Sequence, residues 1–192
     1  MDTADLVVGL FALGMGLAFV GADPQSPTSR ALAVFLSCVG FALMLNVPFH
    51  AGWLQHDPRF WGRTFGVTEA ACFVTAYEWL LRIRRTEGSA RARPQSGERL
   101  LRVSQALAVL YGLLGVAMPE LQGKAFKSMQ LLEPAYYLFA IPIYGSIIIS
   151  FVSIIQLLRA DPDHSERVRL TAFGAATPFL ISGLFVPDVV RP

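Results

Sequence analysis

The chain has 192 residues, 54% hydrophobic and 16% charged, with a mean hydropathy of +0.49 and a formal net charge of +2. A soluble domain carries about 25% charged residues, so this composition does not fit a water-soluble globule, and the small charge gives no reason to expect a nucleic-acid partner. The apolar residues come in blocks, which predicts an all-α, polytopic transmembrane helical bundle forming one domain over the whole chain.

Six spans are expected. Span one is 6–22, with Gly9, Gly14, Gly16 and Gly21 as places where a neighbouring helix can approach closely. Nothing basic stands in Met1 to Asp5, so the run does not read as a signal peptide. The turn Asp23 to Arg30 follows, with Ser26 as cap of the next helix and Pro27 at its first position. Span two is 31–49. The loop after it, His50 to Arg63, holds Trp53, Phe60 and Trp61, rings suited to the headgroup level. Span three is 64–81 and carries Glu69 and Glu78. Span four is 103–119, and the connection Glu120 to Glu133 reads as a short amphipathic helix lying in the interface. Span five, 135–158, is the longest uncharged run, with Pro142 as an expected kink. The loop Arg159 to Arg169 contains the capping pair Asp163 and Glu166, and span six follows at 170–186.

The stretch Arg82 to Arg102 sets the sidedness. It carries seven arginines between two apolar runs, and short basic loops stay in the cytoplasm. With the N-terminus outside, eleven basic residues lie inside and five lie outside. The expectation is therefore a multi-pass protein of the cell inner membrane, N-terminus outside, with the Arg82 to Arg102 loop cytoplasmic. Six crossings also put the C-terminus outside.

Two stretches resemble a known group. DPQSPTSRALAVF links spans one and two, and LLRADPDHSERVRL links spans five and six. Together they resemble the N-terminal seven-transmembrane input region of bacterial histidine kinases and related diguanylate and nucleotide cyclases. The resemblance implies a membrane-embedded module that detects a signal and regulates a cytoplasmic output domain. It also implies a seventh apolar run beyond Pro192, so the chain reads as six helices of seven.

Glu69 is the leading ligand-binding candidate, because a carboxyl group inside a span belongs in the bundle interior or a wet cavity. Five residues into span three, it is expected about 7–8 Å deep. Arg63 or a polar neighbour could instead hold it structurally. Tyr136 and Tyr144 on span five are the other candidates, with Tyr137 nearby, since their hydroxyls could meet Glu69 or a ligand; packing is the alternative role. Glu78 should project from the opposite side of the helix and pair with Arg82 four residues on. His50, His56 and Asp57 share a loop, but their spacing matches no metal motif, and Cys38 and Cys72 read as small apolar residues. No desaturase histidine cluster, nucleophile elbow, zinc-protease motif or phosphate-binding glycine loop is present, so no catalytic residue, metal or cofactor is assigned. The expected partners are the lipid bilayer, a small-molecule or lipid signal and a second copy of the chain. The alternative function is a small transporter or channel with Glu69 on its path.

Overall fold

Proline marks where three of the helices begin. Its missing N–H and fixed φ suit the first helical turn, where the N–H has no intrahelical acceptor. A computed structural model of the chain describes residues 2–50, 58–86, 95–122 and 133–159, together with 167, 168, 170, 171 and 174. The described elements are α1 (Asp2–Ala22), α2 (Pro27–His50), α3 (Pro58–Thr86), α4 (Gln95–Ala117) and α5 (Pro134–Arg159). No strand occurs among the described residues. At α2 the backbone N–H of Ser29 donates to Ser26 Oγ at 3.2 Å, so Ser26 is the expected N-cap with Pro27 as first helical residue.

The helices are longer than the apolar runs. α3 starts at Pro58, ahead of the expected start at residue 64, and takes in Phe60 and Trp61 of the expected loop. It also runs past Arg82 to Thr86, while α4 opens at Gln95 and includes Arg99 and Arg102. Much of the arginine-rich stretch is therefore helix, not loop. Polar residues at a helix end keep good helical propensity, and a hydropathy boundary marks only where apolar cover stops. Most of span six and most of the connection Glu120 to Glu133 lie outside the described residues, as do His56, Asp57, Asp163 and His164. Pro142 lies inside α5.

Four helices are long and apolar enough to cross a membrane, over Asp5–Ala22, Pro27–Leu45, Gly97–Ala117 and Pro134–Arg159. α3 has the length, but Glu69, Glu78 and several threonines and arginines make it more polar. Its neighbours explain how it is accommodated. α1 packs on α2, α2 on α3, α3 on α4 and α4 on α5, so α3 lies between two apolar helices. Its second half is deeply buried, with Tyr77, Trp79, Leu80, Leu81 and Ile83 packed on Leu101, Ala108, Ile154 and Leu157. Phe35 of α2 stacks on Trp79 at a centroid distance of 6.4 Å.

The outer surface shows the converse pattern. Leu17, Phe11, Leu113, Ile141 and Ile148 are each more than half exposed. Apolar patches of this extent are rare on soluble monomers and suit contact with lipid. On α1, Gly9 lies against Gly40 and Gly16 against Ala33, whereas Gly14 and Gly21 face open space. Half of the glycines thus serve close packing. Both cysteines are free, Cys72 buried and Cys38 half-buried.

Candidate functional site

The seam between α3 and α4 is built on small residues. Along α3, the row Gly62, Gly66, Ala70, Val74, Glu78 recurs every fourth position. Facing it are Pro119, just past the end of α4, and Gly115, Gly112, Gln105 and Arg102 of the antiparallel α4. A β-carbon added at Gly112 would lie 2.6 Å from that of Ala70, and one added at Gly66 would lie 3.3 Å from the Cα of Gly115. The backbones can approach this closely only because those side chains are absent, the mechanism of small-residue packing between membrane helices.

Into this notch the side chain of Gln122 folds. A β-carbon at Gly115 would come within 2.8 Å of its Oε1, and one at Gly66 within 3.1 Å. Gln122 follows the break at Met118, where the chain leaves α4 and immediately resumes helical geometry. From the notch, Gln122 Nε2 donates to the hydroxyl of Tyr111 at 2.6 Å. Tyr111 in turn donates its own proton to Glu69 Oε2 at 2.5 Å. The result is a directed relay, carboxamide to phenol to carboxylate, linking the segment after α4 to α4 itself and then to α3. Tyr111 is fully buried and Gln122 only 8% exposed. Phe139 of α5 meets the Tyr111 ring edge-on at 6.4 Å, closing the side away from α3.

The far end of the seam holds a different cluster. Glu78 accepts from Arg82 Nε at 2.8 Å and from Gln105 Nε2 at 3.2 Å, and lies 3.5 Å from Arg102. Gln105 Nε2 also lies 3.4 Å from the carbonyl of Val74. The expected Glu78–Arg82 pair is thus present, joined by α4. Nine residues at 100° each should set Glu78 opposite Glu69, yet both carboxyl groups reach α4. The seam follows an i, i+4 row, which is inclined to the helix axis. Each step drifts about 40°, so from Gly62 to Glu78 the contact line sweeps about 160° around α3. Glu69 borders that line midway, and Glu78 ends it.

A third polar interaction binds these elements. Between α5 and α3, Tyr77 donates to Ser146 Oγ at 3.0 Å, and Ser146 donates to the Ile143 carbonyl at 2.8 Å. Ser146, Ser150 and Ser153 are all buried on one face of α5.

Of the three sequence-based candidates, Glu69 occupies the seam, eleven residues from the start of α3 and so about 16 Å along it. The distance is measured from Pro58, the helix start, and not from the apolar boundary at residue 64 used for the expected depth. Tyr144 is half-buried and packs against the cluster of Tyr111, Phe139 and Ile143. Tyr136 meets Tyr137 edge-on at 5.5 Å. Arg63, considered as a partner for Glu69, donates from Nε to the Val116 carbonyl at 3.2 Å. Sequence reading missed Tyr111 and Gln122. One signal was available: Gly62, Gly66 and Ala70 form a small-xxx-small-xxx-small series that marks the packing face. No family model matches the chain, and comparison with curated proteins and with solved structures finds no match.

Proposed function

We propose that the chain is a membrane-embedded input module of six spans, N-terminus outside, in the cell inner membrane. It would regulate a cytoplasmic output domain of the histidine-kinase or cyclase type carried beyond this chain. The observation that supports the reading is the Gln122–Tyr111–Glu69 relay in a glycine-lined seam. The same seam runs on to Glu78 and Arg102, where the arginine-rich stretch joins the two helices. A ligand or proton that altered the relay would change how α3 lies on α4, and that change would emerge at the cytoplasmic end. Small shifts propagate this way when a packed interface has discrete arrangements.

Two experiments test it. For sidedness, single cysteines replace Ser89 and Gln55 in a background lacking Cys38 and Cys72. An impermeant thiol reagent applied to intact cells should label Gln55→Cys alone, and labelling of Ser89→Cys would reverse the topology. For coupling, cysteines replace Arg82 and Arg99, and their cross-linking rate is compared with and without Glu69→Gln. The amide keeps the size and acceptor of the carboxylate but loses its charge. A changed rate is expected, and an unchanged rate would remove coupling along the seam. A transporter or channel is the second reading, favoured by a carboxylate at mid-helix. Ion flux in reconstituted vesicles, abolished by Glu69→Gln, would establish it in place of the sensor.

A further inference from the structure

Where α3 begins and α4 ends, the surface holds a cavity of about 260 Å³ lined by Arg59, Arg63, Met118, Glu120 and Leu121. Arg59 and Arg63 stand one turn apart on α3. Among the described residues each bonds through Nε, Arg59 to Glu120 Oε1 at 2.7 Å and Arg63 to the Val116 carbonyl at 3.2 Å. The terminal nitrogens carry no hydrogen bond among the described residues. A guanidinium presents five N–H donors in a planar fork matched to a carboxylate or phosphate. Among the described residues its lining holds two cations and one carboxylate, a net positive charge. Glu120 occupies it as an internal anion, but its side chain is 68% exposed and that of Arg59 71% exposed. So exposed an ion pair is weak and open to exchange.

We infer that this cavity is an oxyanion site, taking a phosphate group in exchange for Glu120, with Arg63 as its second cation. The lining is apolar at Met118 and Leu121, each at least 40% exposed, which suits a phosphate borne by a lipid as well as a free one. The site adjoins Gln122, so an occupant displacing Glu120 would act two residues from the relay. It stands on binding alone and is separable from the signalling reading, which the cross-linking measurement tests.

The experiment measures thermal unfolding of the purified protein in two arms. In detergent, inorganic phosphate is compared with chloride at equal ionic strength. In nanodiscs, phosphatidylglycerol is compared with phosphatidylcholine. A rise in Tm in either arm that Arg63→Gln abolishes is expected. A rise with inorganic phosphate identifies a free oxyanion as occupant, and a rise in the lipid arm alone identifies a headgroup. Glu120→Gln removes the internal competitor and should lower the half-saturating concentration roughly two- to fivefold. It also serves if Arg63→Gln fails to fold. No rise in either arm, a rise retained by Arg63→Gln, or a half-saturation unmoved by Glu120→Gln would overturn the site.

Discussion

Glu69 and Glu78 are the same residue type on the same helix, and the structure treats them in opposite ways. Glu78 is bordered by two arginines and a glutamine, with its side chain 31% exposed. Glu69 bonds to a fully buried tyrosine that itself bonds to a buried glutamine. The first carboxylate is balanced by charge beside solvent. The second accepts from a neutral phenol between packed helices. Position along the seam decides which: Arg82 and Arg102 lie beside Glu78, whereas Glu69 lies beside the Gly66, Ala70, Gly112 and Gly115 approach. A charge-balanced site near solvent contributes little and responds to salt. A site satisfied by neutral hydrogen bonds depends on the geometry that brings the donors together. The comparison gives a general ordering: backbone approach first, buried hydrogen bonds second, exposed charge last.

The largest effect should follow from breaking the backbone approach. Gly112→Leu would push a side chain against the Ala70 methyl, which is fixed to the backbone and cannot rotate away. α3 and α4 must separate, at about 3 kcal/mol, and both clusters along the seam should loosen. Gly112→Ala should be milder, and adding Ala70→Gly should recover most of the loss, because the methyl merely moves to the other helix. Thermal unfolding of the purified protein checks both. Independence of the two changes, with no recovery in the double variant, would mean that the seam is not close-packed at this point.

Next in size comes the relay. Tyr111→Phe retains the ring and its edge contact with Phe139 but removes the hydroxyl. Glu69 loses a donor and Gln122 an acceptor in one step. The expected destabilisation is about 1–2 kcal/mol: an unsatisfied buried group costs about 1–3 kcal/mol, and membrane hydrogen bonds fall toward the low end. Combining Tyr111→Phe with Glu69→Ala should be clearly non-additive, since each removes the Tyr111–Glu69 bond. Additive losses in that double-mutant cycle would mean that Glu69 and Tyr111 act independently.

How much of this was legible in the sequence follows from the range of each interaction. The Ser26 cap and the Glu78–Arg82 pair are local, with partners three or four residues apart, and turn chemistry or helix periodicity exposes them. The significance of Glu69 was also legible, because a carboxylate in an apolar helix stands out against its surroundings. Its partner was not. Tyr111 lies 42 residues away and Gln122 a further 11, and a tyrosine within an apolar run reads as packing. Gln122 sat in a connection expected to lie flat in the interface, so its return into the bundle had no sequence signature of its own. The helix lengths were underestimated for a related reason. Hydropathy registers the apolar part of a helix, while α3 continues at both ends on arginine, tryptophan and threonine. Nor does hydropathy show that a polar helix can be covered by its neighbours, as α3 is by α2 and α4.

The smallest effect should come from Glu78→Gln. The amide keeps an acceptor for Arg82 or Gln105 and loses only the charge. The ion pairs it removes have arginine side chains 45% and 47% exposed, so water and salt already screen them. Exposed pairs contribute at most about 1 kcal/mol, and Glu78→Gln should fall within that limit at low salt. Raising salt toward 1 M shortens the screening length to about 3 Å, so the difference from wild type should shrink further. Tyr111→Phe should show little such convergence, because the Tyr111–Glu69 bond it removes is a hydrogen bond from a neutral phenol and not an ion pair. Unfolding of both variants at low and high salt therefore separates the two ends of the seam in one measurement. If the Glu78→Gln deficit were large and independent of salt, its carboxylate would be part of the packed interface, and the contrast with Glu69 would be one of depth rather than of kind.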